Sequence, residues 1–508
     1  MRPNIILITS DQHRGDCFGF EQRKVKTPHI DSMAVNGTRF SACTTPNAVC
    51  MPARASILSG LFPRTCGVLD NGYDLTVPIA KEYGFANRMA KAGYKTALIG
   101  KAHLRHGKYK AGPDGPRGDE RRGQDWSGPY MGFDHVELIQ HNHHNTDMPR
   151  PPDGFHYERF FFQDGCGEER LARWDTRLEP DCGFNQVWHS ALPPAYHTSS
   201  WCANRTINYI NERKLDAEPF VLWTSMPDPH TPFDAPEPWS RMYDPEEVDL
   251  PPFRVEDFDR RPFWHRASRE NDPTEPDPVM RYMRVNWSRP RNLPDDILRA
   301  VTANYYGMIS LIDHNVGRIL AHLDTIGMAD NTVVIFTSDH GDWLGDHGLM
   351  LKGPMLYDGL VRVGLVMRGP GIARGNVVER PVSTIDLGAT FYDWAGMEAP
   401  PIAHGQSLAK LLSGQDETRD FSRTEWDLGT QRCGVAVNLS SVRTPTLKLT
   451  VDSLSGLGEL YDLAEDPYET TNRFDDPAYR KKQRELTDMI NSRPNDAYSL
   501  VPDAAYAV

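Results

Sequence analysis

Short apolar runs rich in β-branched residues alternate along the chain with segments of helical spacing. Four of these runs predict buried strands, at residues 4–9, 96–100, 220–225 and 332–338. Residues 300–325 instead repeat their apolar positions with the period of an amphipathic helix. Alternation of this kind predicts an α/β domain built on a largely parallel sheet.

Ionisable side chains follow each of the four runs, directly or within a few residues. In chain order they are Asp11, Lys101 with His103, His230, and Asp339 with His340. In open α/β sheets, ligands bind in the crevice at the carboxyl ends of the strands. The four strand ends therefore predict one shared crevice that carries both acidic and basic groups.

The predicted catalytic α/β domain covers residues 1–412. Two stretches inside it, at about 105–196 and 236–295, are rich in Gly, Pro, Asp and aromatic residues and have weak periodicity. We interpret them as insertions that form a wall of the crevice and determine specificity.

The remaining residues, 413–508, predict a small C-terminal subdomain. Strand-like runs at 441–451 and 459–462 precede a helical pattern at 478–491. This order predicts an α+β subdomain with an antiparallel sheet.

Composition narrows the class of protein. Of the 508 residues, 39% are apolar and 25% charged, which is typical of a globular enzyme and not of a disordered chain. Lys and Arg total 56 against 69 Asp and Glu, and the resulting charge of −13 argues against nucleic-acid or anionic-membrane binding. An anionic substrate stays open because a pocket can be locally positive, and a homo-oligomer also stays open.

Targeting and cysteine patterns add two expectations. No apolar run approaches the roughly 18 residues that span a bilayer, and the first residues lack the apolar region of a secretory signal, so we expect a cytoplasmic protein. Eight Cys without a CxxC pair predict neither a disulfide framework nor a zinc site.

The sharpest local signal is Cys50-Met51-Pro52-Ala53-Arg54. Pro52 suits the first turn of a helix, so the pattern places Cys50 just before a helix N-terminus. Unpaired N–H groups and the helix dipole favour negative charge there, and Arg54 lies one turn along, near the same face. A nucleophile that needs anionic stabilisation fits this position.

Cys50-x-Pro52-x-Arg54 resembles the sulfatase signature, in which the Cys is oxidised after translation to formylglycine. Five motifs occur in family order, from Asp11-Gln12 through Ser338-Asp339-His340-Gly341 to the run at residues 458–463. Over essentially its full length the chain resembles the formylglycine-dependent sulfatases of the alkaline phosphatase superfamily. The resemblance implies an alkaline-phosphatase-like fold, a mostly parallel sheet sandwiched by helices, with a small C-terminal subdomain.

The resemblance also implies one divalent cation, with Ca²⁺ as the first expectation and Mn²⁺ or Mg²⁺ as alternatives. The implied ligands are Asp11, Gln12, the modified Cys50, Asp339 and His340. Oxygen and imidazole ligands suit these ions. Gln12 and His340 replace the Asp and Asn of better-known arylsulfatases, which is similar to the choline-sulfatase and phosphonate-monoester-hydrolase branch, and Ala53 replaces the usual Ser.

The implied catalytic residues are Cys50, Arg54, Lys101, His103, His230 and Lys352. Asn71, Lys101, His230 and Lys352 are the implied substrate-binding residues. In the implied reaction, the formylglycine hydrate attacks sulfur, and its second hydroxyl lets the covalent sulfate collapse to aldehyde and inorganic sulfate. The implied partners are a small anionic sulfate ester and, during maturation, a formylglycine-generating enzyme.

Two other functions are weighed against sulfate-ester hydrolysis. Gln12, His340 and Asn71 favour a phosphonate monoester or phosphodiester hydrolase on the same scaffold, whereas Lys101 and His103 favour sulfate esters. An inactive binding protein would have lost catalytic positions, and here every expected position is filled. We expect the alcohol part of the substrate to be selected by the insertions and the C-terminal subdomain.

Overall fold

The computed structural model describes most of the chain. The described residues are 2–21, 23–105, 126–139, 148–151, 154–180, 182–254, 257–288 and 293–496. Parts of both predicted insertions and the end of the predicted C-terminal subdomain lie outside these ranges.

The strands of the described residues form one large sheet and three smaller ones. In chain order they are β1 Asn4–Ser10, β2 Thr38–Phe40, β3 Cys43–Thr44, β4 Lys95–Gly100, β5 His135–Leu138, β6 Arg177–Leu178, β7 His189–Ser190, β8 Phe220–Ser225, β9 Thr332–Ser338, β10 Leu365–Arg368, β11 Asn376–Val378, β12 Val382–Ser383, β13 Ser422–Leu428, β14 Val437–Arg443, β15 Leu447–Asp452 and β16 Gly458–Asp462. The large sheet has the order β11-β2-β10-β9-β1-β8-β4-β5. Within it only β10 runs against the other described strands.

The helices of the described residues lie mostly between these strands along the chain. They are α1 Pro28–Val35, α2 Cys50–Ser59, α3 Pro63–Cys66, α4 Val77–Tyr83, α5 Phe85–Lys91, α6 His156–Phe162, α7 Gly167–Trp174, α8 Thr198–Arg213, α9 Phe263–Glu270, α10 Pro278–Met283, α11 Asp295–Thr325, α12 Asp358–Val361, α13 Asp386–Trp394, α14 Ala409–Leu412, α15 Thr430–Cys433 and α16 Arg480–Asn491. One π-helical turn, Arg284–Ser288, follows α10.

Helices cover both faces of the large sheet. In β1, Ile5 and Leu7 belong to one apolar cluster while Ile6 and Ile8 belong to another. The first cluster includes residues of α2, α5 and α13, and the second includes residues of α1, α8 and α11. A strand whose alternate side chains are both buried needs a helical layer on each side. The predicted fold class is therefore confirmed.

The strands with ionisable ends lie side by side, as β9-β1-β8-β4. Their last residues are level, because Ser10 pairs with Ser338 and Ser225 pairs with both Thr9 and Gly100. The groups that follow these strands consequently emerge at one edge of the sheet.

The second sheet is antiparallel, in the order β13-β14-β15-β16. Helix α16 packs on it through Leu486, which lies in a cluster with Val442 and Leu449. Another cluster joins this sheet to the catalytic half, because Trp426 of β13 shares it with Val49, the residue before Cys50. The C-terminal sheet therefore supports the segment that carries the candidate nucleophile.

The predicted strands agree with the observed ones, and most differences lie at element ends. The helix predicted at residues 300–325 begins earlier, at Asp295, since Pro294 and two acidic residues suit a helix start. Cys50 is the first residue of α2 and does not precede it, because Val49 is the N-cap. The run at 441–451 forms parts of two strands, β14 and β15, and the division of domains at residue 412 stays a prediction.

Among the described residues, none of the helices combines the length and apolar character required to cross a membrane. The cytoplasmic location stays a prediction.

Replacing Trp426 tests whether the joining cluster stabilises the fold. Trp426 is fully buried, so Trp426→Ala is expected to lower the free energy of unfolding by about 3–5 kcal/mol through lost contacts and a cavity. Leu454, in the turn after β15, is 68% exposed, and Leu454→Ala is expected to change it by less than about 0.5 kcal/mol. Urea unfolding measures both, and equal effects would contradict this packing.

Candidate active site

The candidate site forms where the level strand ends meet the start of α2. Asp11 follows β1, Lys101 follows β4 and Asp339 follows β9, while Cys50 begins α2. His230 reaches the same place from the segment after β8. Gln12 and Lys352 are hydrogen-bonded here although they are 340 positions apart in the sequence.

Cys50 lies among acidic and imidazole groups. Its Sγ is 3.5 Å from Oδ1 of Asp11 and 3.2 Å from Nε2 of His340. Ligand atoms of Asp11, Cys50, Asp339 and His340 all lie within 4.8 Å of one another, and all four residues are buried. The arrangement brings together four of the five residues expected to bind the cation.

This donor set fits a hard divalent cation. Two carboxylates and an imidazole suit Ca²⁺, Mn²⁺ or Mg²⁺, and conversion of Cys50 to formylglycine would replace its sulfur by oxygen. Nδ1 of His340 lies 2.8 Å from the carbonyl oxygen of Gly341, which requires an N–H donor. Nε2 is therefore the ring nitrogen that faces Asp11 and Cys50, and it would offer a lone pair to a cation once its proton has left.

Gln12 makes other contacts with its side chain. Its Nε2 donates to Oδ2 of Asp342 at 2.6 Å, and its Oε1 accepts from Nζ of Lys352 at 2.9 Å. Its φ of 64° lies in the left-handed region, where a non-glycine residue needs support from its surroundings. Tyr305 gives that support by donating from its hydroxyl to the carbonyl of Gln12 at 2.7 Å. A ligand role for Gln12 stays a prediction.

Arg54 joins three of the converging segments and is completely buried. Its Nε donates to the carbonyl of Ala102 at 2.9 Å, and its Nη1 lies 3.3 Å from Oδ2 of Asp339. Its Nη2 donates to the carbonyl of Lys101 and to the hydroxyl of Ser225. Because these bonds are to charged or buried partners, Arg54 fixes the carboxylate of Asp339 relative to α2.

Two lysines bring positive charge to Cys50. Lys101 forms an ion pair with Asp11. Nζ of Lys352 lies 2.9–3.2 Å from Gln12 Oε1, His230 Nε2, Cys50 Sγ and His340 Nε2. Lys352 is therefore positioned to contact an anionic group bound beside Cys50.

The charges around Cys50 change its ionisation. Burial raises the pKa of the Cys50 thiol, but the charges of Lys352, Lys101 and His340 lower it well below its usual value. Helix α2 starts at Cys50, and its N-terminal dipole favours the anion as well. Negative charge at this position is stabilised from several sides.

The other titratable groups respond to burial and to each other. Burial and the neighbouring charge of Asp11 raise the pKa of Asp339 to about 6. Burial would raise the pKa of Asp11, but Lys101, His230 and Lys352 hold it below its usual value. Burial lowers the pKa of His103 to about 4, although its hydrogen bond with Cys50 opposes this. A divalent cation would offset the repulsion between the two carboxylates.

Asn71 lies beside the site but contacts backbone. Its Oδ1 accepts from the N–H of Met51 at 3.1 Å and so satisfies one donor in the first turn of α2. A substrate-binding role for Asn71 stays a prediction.

Some positioning residues carry no signal in the linear sequence. The backbone carbonyl of Asp228 accepts from the N–H of Asp11 at 2.9 Å, and its carboxylate accepts from Ser199. Asp228 thus holds Asp11 and the segment that leads to His230. Asp342 directly follows the Ser338–Gly341 motif and orients the amide of Gln12 by accepting from its Nε2.

Comparison with known proteins agrees with this geometry. The sulfatase family model matches residues 3–397, and a model for the C-terminal part of N-sulphoglucosamine sulphohydrolase matches residues 345–496. The chain belongs to the sulfatase family. The resemblance drawn from the motifs, and with it membership of a family of sulfuric ester hydrolases, is confirmed.

Individual relatives match this sulfatase over nearly its whole length. An arylsulfatase of Clostridium perfringens is 28% identical, with 95% of this chain and 92% of the relative covered. A choline-sulfatase of Rhizobium meliloti is 27% identical, with 96% and 85% covered. The crystal structure of a phosphonate monoester hydrolase of Agrobacterium radiobacter superposes with a TM-score of 0.76 at 27% identity, with 97% and 95% covered.

Cation binding to this sulfatase is expected to require the clustered carboxylates. Ca²⁺ or Mn²⁺ should raise the Tm of the wild-type protein, because a ligand that binds only the folded state stabilises it, and Asp339→Asn should remove most of that rise. Asp313 is also buried but lies outside the site, so Asp313→Asn should keep the rise. Differential scanning fluorimetry with and without EDTA measures the rise in Tm. An undiminished rise in Asp339→Asn would contradict the assignment of Asp339 as a cation ligand.

Proposed function

We propose that this sulfatase hydrolyses a sulfate ester to an alcohol and inorganic sulfate, with a formylglycine made from Cys50 and one divalent cation. The observation that carries the proposal is the buried contact of Cys50 with Asp11 and His340, next to the basic groups of Lys101 and Lys352. A formylglycine-generating enzyme is the partner that maturation requires.

Charge balance favours an anionic substrate. Asp11 and Asp339 contribute two negative charges, which a divalent cation would neutralise. Arg54, Lys101 and Lys352 then leave a surplus of about three positive charges in a largely buried space. A sulfate ester brings one negative charge to this space, and its charge grows at the bridging oxygen as the S–O bond breaks.

Asp11, Asp339, His340 and residue 50 are the groups that would hold the cation. When bound, the cation supplies a Lewis acid that lowers the pKa of an attached hydroxyl and withdraws charge from sulfate oxygens. The chain contributes the orientation of its ligands through Arg54 on Asp339 and the Asp228 carbonyl on Asp11.

Lys352 and His230 form a proton-transfer pair for the leaving alcohol. Nδ1 of His230 lies 2.7 Å from the carbonyl of Thr231 and carries a proton, so Nε2 presents a lone pair to Nζ of Lys352 at 3.1 Å. Burial and the charge of Lys352 lower the pKa of His230 and keep the ring neutral. Lys352 is thus the proton donor at this point, and it protonates the departing oxygen directly or through His230.

A specific observation also supports the second candidate, a phosphonate monoester or phosphodiester hydrolase. The side chain of Gln12 bridges Asp342 and Lys352 where many sulfatases have a carboxylate, so one negative charge fewer faces the substrate. The same cationic space would accept a phosphonate monoester. The phosphonate monoester hydrolase noted above shares this fold.

Mass spectrometry of the peptide that contains Cys50 tests the proposed nucleophile. Protein expressed with a formylglycine-generating enzyme is expected to contain aldehyde at position 50, in a form that lacks the sulfur atom. Cys66 is also buried in the same half of the chain and serves as an internal control that keeps its thiol. Fully unmodified Cys50 under these conditions would overturn the mechanism.

Activity of three variants tests the assigned roles. Cys50→Ala, Asp339→Asn and Lys352→Ala are each expected to lower kcat/KM for an aryl sulfate by about a hundredfold or more, because each removes the nucleophile, a ligand or stabilisation of transition-state charge. Lys410→Ala removes a lysine that is exposed and distant in the chain, and it should keep the wild-type rate. Near-wild-type rates in any of the three would mean that the site is misplaced.

The ratio of the kcat/KM values for two substrates decides between the two functions. We expect kcat/KM for an aryl sulfate to exceed that for an aryl phosphonate monoester with the same leaving group. Matched leaving groups cancel differences in the alcohol, so the ratio reports recognition of the reacting centre. A preference for the phosphonate by several orders of magnitude would replace sulfate-ester hydrolysis by the second candidate.

A further inference from the structure

Arg284 is a buried cation that the proposed chemistry does not use. It begins the π-helical turn after α10 and is 9% exposed. Its Nε is shielded from solvent and has no hydrogen-bond partner. Within the part of the chain that the structure describes, no carboxylate lies at ion-pair distance from its guanidinium.

A second arginine lies next to it. Arg432 belongs to α15, is 6% exposed, and donates from Nη1 to Oδ1 of Asp70 at 2.9 Å. The guanidinium of Arg432 also lies over the ring of Trp426, 5.5 Å from its centroid. Asp70 is thereby engaged by Arg432, and Glu275 accepts from the N–H of Asp277.

Burial of an unpaired guanidinium is unfavourable, because the lost hydration is not replaced by a partner. Burial lowers the pKa of Arg284, and the charge of Arg432 lowers it further, while Asp70 only partly opposes the shift. Asp70 and Glu275 therefore compensate the guanidinium of Arg284 only in part, and among the described residues it lacks a negative charge at ion-pair distance. An oxyanion with several acceptor oxygens would supply it and would accept from both guanidinium groups.

The pair is connected to the candidate active site by two contacts. Arg432 holds Asp70, and the next residue, Asn71, accepts from the N–H of Met51 in the first turn of α2. Asn71 is half-buried and Gly72 is exposed, so the loop that carries Asp70 opens to solvent. The loop that Arg432 holds therefore borders the residue next to Cys50.

We propose that Arg284 and Arg432 form a subsite for a second anionic group of the substrate, a carboxylate or a second sulfate. This inference rests on the proposed function and narrows it to doubly anionic sulfate esters. Arg284 comes from the predicted second insertion and Arg432 from the predicted C-terminal subdomain. The second insertion gives no family motif, and Arg432 lies outside the one motif of the C-terminal subdomain, residues 458–463, which agrees with a role in specificity.

Binding to a Cys50→Ala background tests the subsite without turnover. Isothermal titration calorimetry compares phenyl sulfate with doubly charged probes of graded reach: 3- and 4-(sulfooxy)benzoate, 4-(sulfooxy)phenylacetate and hydroquinone disulfate. At least one doubly charged probe is expected to bind about tenfold to a hundredfold more tightly than phenyl sulfate. This is the gain in affinity that hydrogen bonds to a charged group typically give. The benzoates and the disulfate show whether carboxylate or sulfate is preferred.

The variants separate binding from structure. Adding Arg284→Met should remove that preference, and Arg284→Lys should restore part of it. Arg281→Met is the matched control, because Arg281 lies one turn earlier and is exposed, and it should keep the preference. Arg284→Met should also raise the Tm of the ligand-free protein, since it removes a buried unpaired charge.

The outcomes distinguish the two proposals. If no probe is preferred over phenyl sulfate, or if the preference survives Arg284→Met, the subsite is overturned. A fall in Tm for Arg284→Met together with an unchanged preference would assign Arg284 a structural role. If the matured wild-type enzyme does not hydrolyse phenyl sulfate or the probes while the Arg284-dependent preference persists, the proposed function fails and the subsite stands.

Discussion

Compensation among buried charges around Cys50 is the interaction on which the rest of the candidate site depends. Asp11, Asp339, Arg54 and Lys101 are held against one another by ion pairs, in a space where little water weakens them. Burial of each charge is offset by the opposite charge beside it, so the side chains are held in one arrangement. Lys352 adds a further positive charge, and with the divalent cation that we propose the site would carry a positive surplus in an overall acidic protein.

The sheet makes this compensation geometrically feasible. Adjacent parallel strands end level, so the residues that follow them meet without long connecting segments. Close approach is needed at Gly100, where φ is 107° and a Cβ would collide with the carbonyl oxygen of Ser225. That approach lets the N–H of Lys101 donate to the same carbonyl at 2.9 Å and directs Lys101 towards Asp11.

The sequence predicted the parts of the molecule whose signals are local. Buried strands, the residues after them and the Cys50 motif could be identified because β-branched runs and short motifs are contiguous. Tyr305, Asp228 and Arg432 could not, because their roles come from contacts with residues far away in the chain. The element ends were missed by a few residues where a cap decides them, as at Asp295.

The structure of the predicted insertions could likewise be predicted only in part from the sequence. Their weak periodicity indicated loops that form a wall, but it did not indicate α9, α10 or the π-helical turn that carries Arg284. A buried arginine such as Arg284, which has no ion-pair partner among the described residues, has no signature in the linear sequence. Its meaning comes only from the packing of α15 against that turn.

Anomalous diffraction at the manganese edge, from crystals grown with Mn²⁺, tests the central claim most directly. The account predicts one strong peak in contact with Asp11, Asp339, His340 and residue 50, with the oxygen of a modified residue 50 turned towards it. No peak at this position in metal-loaded, active crystals, or a peak held by other residues, would contradict the account.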